Sequence, residues 1–263
     1  MANKVRYLRG SVLDNATVSA SSQTAGLPAG NVKNELIRKV YRTTGRSNEW
    51  IRFKASGGAT GINMVFVGKH SFSRNAVVLW QGNTTSNFAS GPALNITLGV
   101  ITDALGSVVP KIGYFRATSQ AYSYLHWRLY FRDSGNASTN VDVGRIAVGR
   151  WVEPSQNLRE GFTMRYVDPS RRMVNAGRQG YANVRPTYQE FSYSVGYASE
   201  VQQDQLIALY RSLGQHTAFV FALDPETRPS HNTAYVEFGE PVSWQSNVTR
   251  QKTLQELTLQ EKV

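Results

Sequence analysis

The sequence predicts a mainly β protein, an antiparallel sandwich or barrel followed by a smaller α+β unit with one helix. Three observations carry this. From Tyr7 to about Val152, short runs alternate apolar and polar residues and are separated by Gly, Ser and Asn, the turn spacing of antiparallel folds. Charged residues make up only 18%, and Ser, Thr, Asn, Gln and Gly fill the gap, which suits turns and short strands better than long helices. A single later stretch, 199–214, has a convincing helical period.

The elements follow in order. Trp50–Ala55 (WIRFKA) alternates large and polar side chains, whereas Ile62–Gly68 (INMVFVG) is almost wholly apolar, as a strand covered on both faces should be. The connecting Ser56–Gly61 (SGGATG) reads as a hairpin turn. Asn75–Gly82 and Pro92–Val100 supply two more strands. In Tyr124–Arg132 (YLHWRLYFR), Leu125, Trp127, Leu129 and Phe131 take one face while His126, Arg128, Tyr130 and Arg132 take the other. Val143–Trp151 closes the set.

Glu153–Gly161 (EPSQNLREG) breaks the pattern and is the candidate linker, giving expected domains of 1–155 and 156–263. Beyond it, FTMRYVD and TYQEFSYSVGYA read as strands, the latter with Phe191, Tyr193 and Val195 on one side. For the helix, Ser199 and Gln202 form a capping box. Val201, Leu206, Leu209, Tyr210 and Leu213 make the apolar stripe, and Gly214 is the stop. TAFVFALDP, AYVEFGEPVSWQ and TLQELTLQEKV add strands. Leu254, Leu257 and Leu259 cannot all share one face of a regular strand. The second part therefore reads as ββ–α–βββ.

Composition narrows the chemistry. With no cysteine there is no disulfide, thiolate nucleophile or cysteine-held zinc. The histidines His70, His126, His216 and His231 lie in unrelated contexts, no G-x-S-x-G elbow occurs, and Asp224 and Glu226 of LDPET belong to a turn. No catalytic residue, metal site or cofactor is expected. The N-terminal stretch carries no export signal, and no window approaches the length of a membrane span.

The net charge of +11 is unevenly spread, with 19 Lys and Arg against eight Asp and Glu in residues 1–160, and ten against ten in 161–263. A basic first part suits nucleic acid, acidic glycan or lipid, or an acidic protein neighbour. Arg38, Lys39, Tyr41, Arg42, Arg46, Trp50, Arg52 and Lys54 interleave bases with aromatics, but alternation buries half of those rings, so the nucleic-acid signal is weak.

The order PAGNV, VYRTTG, EWIRFKASGGATGINMVFVGKHSF, HWRLYFRDS and GRIAVGRW resembles the discoidin-like (galactose-binding-like) jelly-roll domains over residues 10–152. Asn31, Tyr41, Arg42, Trp50, Ile51, Arg128, Leu129, Ile146 and Gly149 occupy the matching positions. The resemblance implies a jelly roll with loops at one end that take sugars or protein partners. The loops to test are Gly68–Asn75, with His70, Phe72 and Arg74, and Gln81–Gly91, with Asn83 and Asn87.

Joined to GFTMRYVDPS, the helix and HTAFVFALDPE, this domain is similar to the tail proteins of tailed bacteriophages, whose C-terminal unit resembles the tail-tube or tail-hub fold. That resemblance implies a virion structural protein, made in the bacterial cytoplasm and placed at the distal tail or baseplate. It would form a homo-oligomeric ring, a hexamer, that continues the tube and docks neighbouring tail proteins and receptor-binding fibres. DNA would only pass through the channel, with most positive charge turned away from it. Pro169–Pro186 is either an arm reaching the next subunit, with Arg171, Arg172, Arg178 and Arg185 pairing with its acids, or a mobile loop. The alternative function is a carbohydrate-binding adhesin that recognises a bacterial surface glycan.

Overall fold

The computed structural model describes residues 5–56, 58–154, 162–174, 178, 180–198, 200–246 and 252–263. Its ladders are antiparallel, and the described residues include one α-helix. Two units divide the chain. The first holds the residues up to Glu153 together with Phe219–Ala234, and the second holds Pro154–Ala218 and Tyr235–Val263.

The strands of the first unit run β1 (Val5–Leu8), β2 (Thr17–Ala20), β3 (Tyr41–Arg42), β4 (Glu49–Lys54), β5 (Thr60–Ile62), β6 (Met64–Gly68), β7 (Val77–Asn83), β8 (Leu94–Leu98), β9 (Lys111–Phe115), β10 (Tyr122–Tyr124), β11 (His126–Arg132), β12 (Asp142–Val143) and β13 (Ile146–Gly149). A five-stranded sheet ordered β2-β4-β11-β7-β8 and a three-stranded sheet ordered β13-β6-β9 enclose one core. Its centre is the stacked pair Trp80 and Trp127, ring centroids 5.4 Å apart. Leu129, Phe131, Ile51 and Phe53 come from the larger sheet, and Val65, Val67, Ile112, Ile146 and Val148 from the smaller. Burial alternates strictly along β11, as its sequence requires, while all of β6 is buried.

Two local expectations change. Ile62–Gly68 is not one strand, because Asn63 breaks it into β5 and β6, and its side chain instead bonds the Ser119 carbonyl and the Trp151 amide. Ser56–Gly61 is no hairpin turn either, since β4 pairs with β2 and β11 whereas β5 pairs with β10.

The PAGNV motif is a structural tie. Ala29–Lys33 forms a 3-10 turn, the buried Asn31 amide donates to the Val40 carbonyl, and the Tyr41 hydroxyl donates to the Ser22 carbonyl. Arg42 then holds Asp142 through two bonds of 2.6 and 2.8 Å.

The returning segment 219–234 supplies β18 (Phe219–Leu223), which pairs with β1. Farther along, the Pro229 carbonyl and the Thr233 hydroxyl lie so close to β9 that a Cβ on Gly113 would sit 2.6 and 2.9 Å from them. The Gly113 amide also donates to Ser230 Oγ. We expect Gly113→Val to push this segment off β9 and cost about 1–3 kcal/mol, as overpacking does. Limited proteolysis would then cleave first within residues 219–234, and an unchanged cleavage pattern would contradict this account.

The second unit contains β14 (Thr163–Val167), β15 (Arg171–Val174), β16 (Gly180–Asn183), β17 (Tyr188–Ala198), α1 (Glu200–Leu213), most of β19 (Thr233–Phe238), β20 (Trp244–Ser246) and β21 (Lys252–Glu261). β17 pairs with β14 and β21, and β21 also pairs with β19 and β20. A register shift between the Tyr193–Leu257 and Val195–Leu254 pairs is what regular alternation could not supply for the three leucines. Gly214 ends the helix at φ +60°, its amide bonded to the Tyr210 carbonyl. Leu209 and Leu213 are buried, but Val201 is 65% exposed and does not belong to the apolar stripe. Eight residues separate it from Leu209, a rotation of about 80°, which turns it off the packed face. Ser199 and the side chains of Gln202, Val195 and Leu254 lie outside the described residues, as does most of the linker.

Candidate binding face

Period-two alternation turns every second residue of the five-stranded sheet away from the core, and the register assembles these outward positions into rows, Gln81 and Asn83 among them being buried. One row runs Ser19, Arg52, Arg128, Gln81, Asn95 across all five strands. Beside it run Thr17, Lys54, His126, Asn83 on one side and Trp50, Tyr130, Leu79, Thr97 on the other. No outward position of these strands carries a carboxylate. Arg52 and Arg128 are therefore like-charge neighbours across β4 and β11, an arrangement that costs stability, and Lys54 stands opposite His126.

The guanidiniums are held. Arg128 lies 4.3 Å from the Phe88 ring centre and 5.3 Å from that of Tyr130, and donates to Gln81 Oε1 at 2.8 Å. Gln81 in turn donates to Asn95 Oδ1. Arg52 lies 4.9 Å from the Trp50 ring centre and donates to the Ser86 carbonyl. The β7–β8 loop thus folds back over the sheet, with Phe88 buried beneath it. Burial, then the charges of Lys54 and Arg52, hold the His126 pKa below its ordinary value. Burial and Arg52 lower that of Arg128 against the opposing influence of Tyr130. Among the described residues no ion pair involves Arg52, Lys54 or Arg128.

The loop residues expected to bind divide differently. His70 and Phe72 are buried and pack at 4.8 Å, with Phe72 against Phe131 at 5.1 Å. His70 Nδ1 accepts from the Phe72 amide, and burial lowers its pKa to about 4, opposed by Asp133 and the Val109 carbonyl. Asn83 is also buried, tying the loop through the Asn87 carbonyl and the Thr84 amide. Only Arg74 and Asn87 are exposed. The two loops cannot form one site, because they stand at opposite ends of β7, about 20 Å apart. The signal that would have found the sheet face instead was the polar half of YLHWRLYFR, whose pairing partners sequence does not reveal.

In the second unit, Arg171, Arg172, Arg178 and Arg185 are all exposed. The described residues of Pro169–Pro186 hold a hairpin, β15 on β16, and not an unstructured loop. Among the described residues, seven of the eleven exposed large apolar side chains lie between 162 and 184: Phe162, Met164, Tyr166, Met173, Val174, Tyr181 and Val184. Among the described residues β14 is paired on one side only, with β17. No group of three or more acidic or histidine side chains able to hold a metal occurs among them.

The fold is that of a mainly β protein with antiparallel sheets and, among the described residues, one helix. No family model matches the chain, and no curated protein matches it. Similar solved structures include chitosan-binding module 1 of a chitosanase/glucanase from Paenibacillus sp. IK-5, at 15% identity and a TM-score of 0.38 over 52% of this chain and 97% of that one. The lectin domain of lectinolysin in complex with Lewis B antigen has 14% identity and a TM-score of 0.39 over 53% and 96%. The family 32 carbohydrate-binding module of C. perfringens NanJ with galactose has 10% and 0.38 over 54% and 98%. At these identities and scores the likeness says nothing about what this chain binds.

Proposed function

We propose that this chain is a non-catalytic assembly protein, a subunit of a homo-oligomeric ring at the distal end of a bacteriophage tail. In this reading the 162–185 region joins neighbouring copies, and the sandwich is held out as a docking module for other tail or receptor-binding proteins. The supporting observation is the concentration of exposed apolar and arginine side chains on a one-sided edge strand and a hairpin. A two-stranded hairpin without a covered face is at best marginal in water, and an open edge invites a further strand, so both features suit a partner. Ring closure would repeat one heterologous interface around the assembly. We expect the purified chain to form closed oligomers by light scattering, and replacement of residues 169–186 by a short Gly-Ser link to leave monomers. A wild-type chain that stays monomeric at every concentration sinks the reading.

A second reading, an adhesin that holds a bacterial surface glycan, draws on the sandwich. Half-buried Trp50 and Tyr130 share an open face with the hydroxyls and amides of Ser19, Thr97 and Asn95. Direct binding on a glycan array, lost on substitution of Trp50, is its expected result.

A further inference from the structure

We infer that the outward face of the β2-β4-β11-β7-β8 sheet is a docking site for an acidic protein segment, with Arg52, Arg128 and Lys54 as its carboxylate receptors. The inference rests on the sandwich serving as a docking module, and not on ring formation.

Four features point this way. The cross-strand pair Arg52–Arg128 brings like charges together, with Lys54 in the next row and no carboxylate among the outward strand positions, a cost that an incoming anion removes. The two arginine receptors are fixed before binding, Arg128 by Phe88, Tyr130 and the Gln81–Asn95 relay, Arg52 by Trp50 and the Ser86 carbonyl. Little side-chain entropy is then lost on contact.

The ring faces decide the class of partner. Single-stranded nucleic acid needs free aromatic faces for its bases, and neutral sugars also favour an open ring. Here Trp50 carries Arg52, and Phe88 and Tyr130 carry Arg128, so those rings orient guanidiniums. What the face presents is N–H groups, and planar guanidinium edges match carboxylates in two-bond geometry. The spacing agrees as well. Neighbouring strands lie about 5 Å apart, and Arg52 and Lys54 are about 6.7 Å apart along β4, the same interval as alternate side chains of an extended acidic segment.

The test uses the full chain in whatever oligomeric state it adopts, with fluorescence anisotropy of a short labelled peptide of alternating glutamate and serine. Expected results are binding that weakens with salt, none to the matching glutamine-serine peptide, and a loss of about tenfold or more in Arg52→Gln/Lys54→Gln with a melting temperature no lower than that of the wild type. Arg52→Glu/Lys54→Glu should abolish binding and capture a lysine-serine peptide instead. Tighter binding of oligodeoxythymidine or of a polyuronate, equal binding by the variants, or no binding of the acidic peptide overturns the proposal. Each of those outcomes leaves the light-scattering result on self-assembly untouched, so the two ideas fail separately.

Discussion

Changing both Glu153 and Glu226 to glutamine should destabilise the first unit by about 3–5 kcal/mol, more than removing the arginine they hold. Arg6, 1% exposed on β1, donates through Nε to Glu153 at 2.9 Å and through a terminal nitrogen to Glu226 at 2.8 Å, with its guanidinium 4.1 Å from the Trp151 ring centre. These contacts tie β1, the strand-end residues after β13 and the segment following β18 to one point. The asymmetry follows from exposure. Taking away the acids leaves a buried cation without counter-charge, whereas Arg6→Met leaves two carboxylates that reach solvent, Glu153 being 23% and Glu226 43% exposed. Arg6→Met should therefore cost roughly 2 kcal/mol, chiefly lost hydrogen bonds and contact with Trp151. Urea unfolding of the three proteins checks the order. If the methionine variant is the weaker, the buried charge is not what these acids serve.

The second large effect is acid sensitivity centred on His70. Its folded pKa of about 4 stands below the ordinary 6.5, so the unfolded chain takes up a proton that the folded chain refuses. Stability is complete above pH 6.5 and falls as pH drops toward 4, by about 3 kcal/mol in all. About 2 kcal/mol of this falls between pH 6.5 and 5, above the range in which the carboxylates titrate. Asp133 faces the imidazole and softens the loss without reversing it. Unfolding free energies of the wild type at pH 7 and pH 5 should differ by that amount, and His70→Gln should flatten the slope whatever its absolute stability. An equal slope in the variant would place the acid sensitivity elsewhere.

Much of the first unit was legible in the residues because alternation has only two faces to assign. Trp127, Leu129 and Phe131 point inward, and His126, Arg128 and Tyr130 outward, as their order requires. Ile62–Gly68 announced burial on both sides but hid the break at Asn63, since a polar residue satisfied by long-range hydrogen bonds looks the same in sequence as one inside a strand. The candidate loops show a related effect. The hydrophilic His70 and Asn83 read in sequence as loop contacts, and in the structure each is buried and holds a loop in place. Loop proximity in sequence also concealed that β7 separates them by its whole length.

By itself, then, the order of residues determined the β class, the single helix with its glycine stop, the inward and outward halves of each strand, and the weight of positive charge before residue 160. Those are local properties, set by period, turn chemistry and composition. Tertiary structure alone decided that 219–234 returns to pair with β1, that Arg6 is buried between two acids, and that Arg52 meets Arg128 across β4 and β11. Each of these depends on which strands become neighbours. Strand pairing is a long-range choice made by the whole core, and no short window of residues contains it.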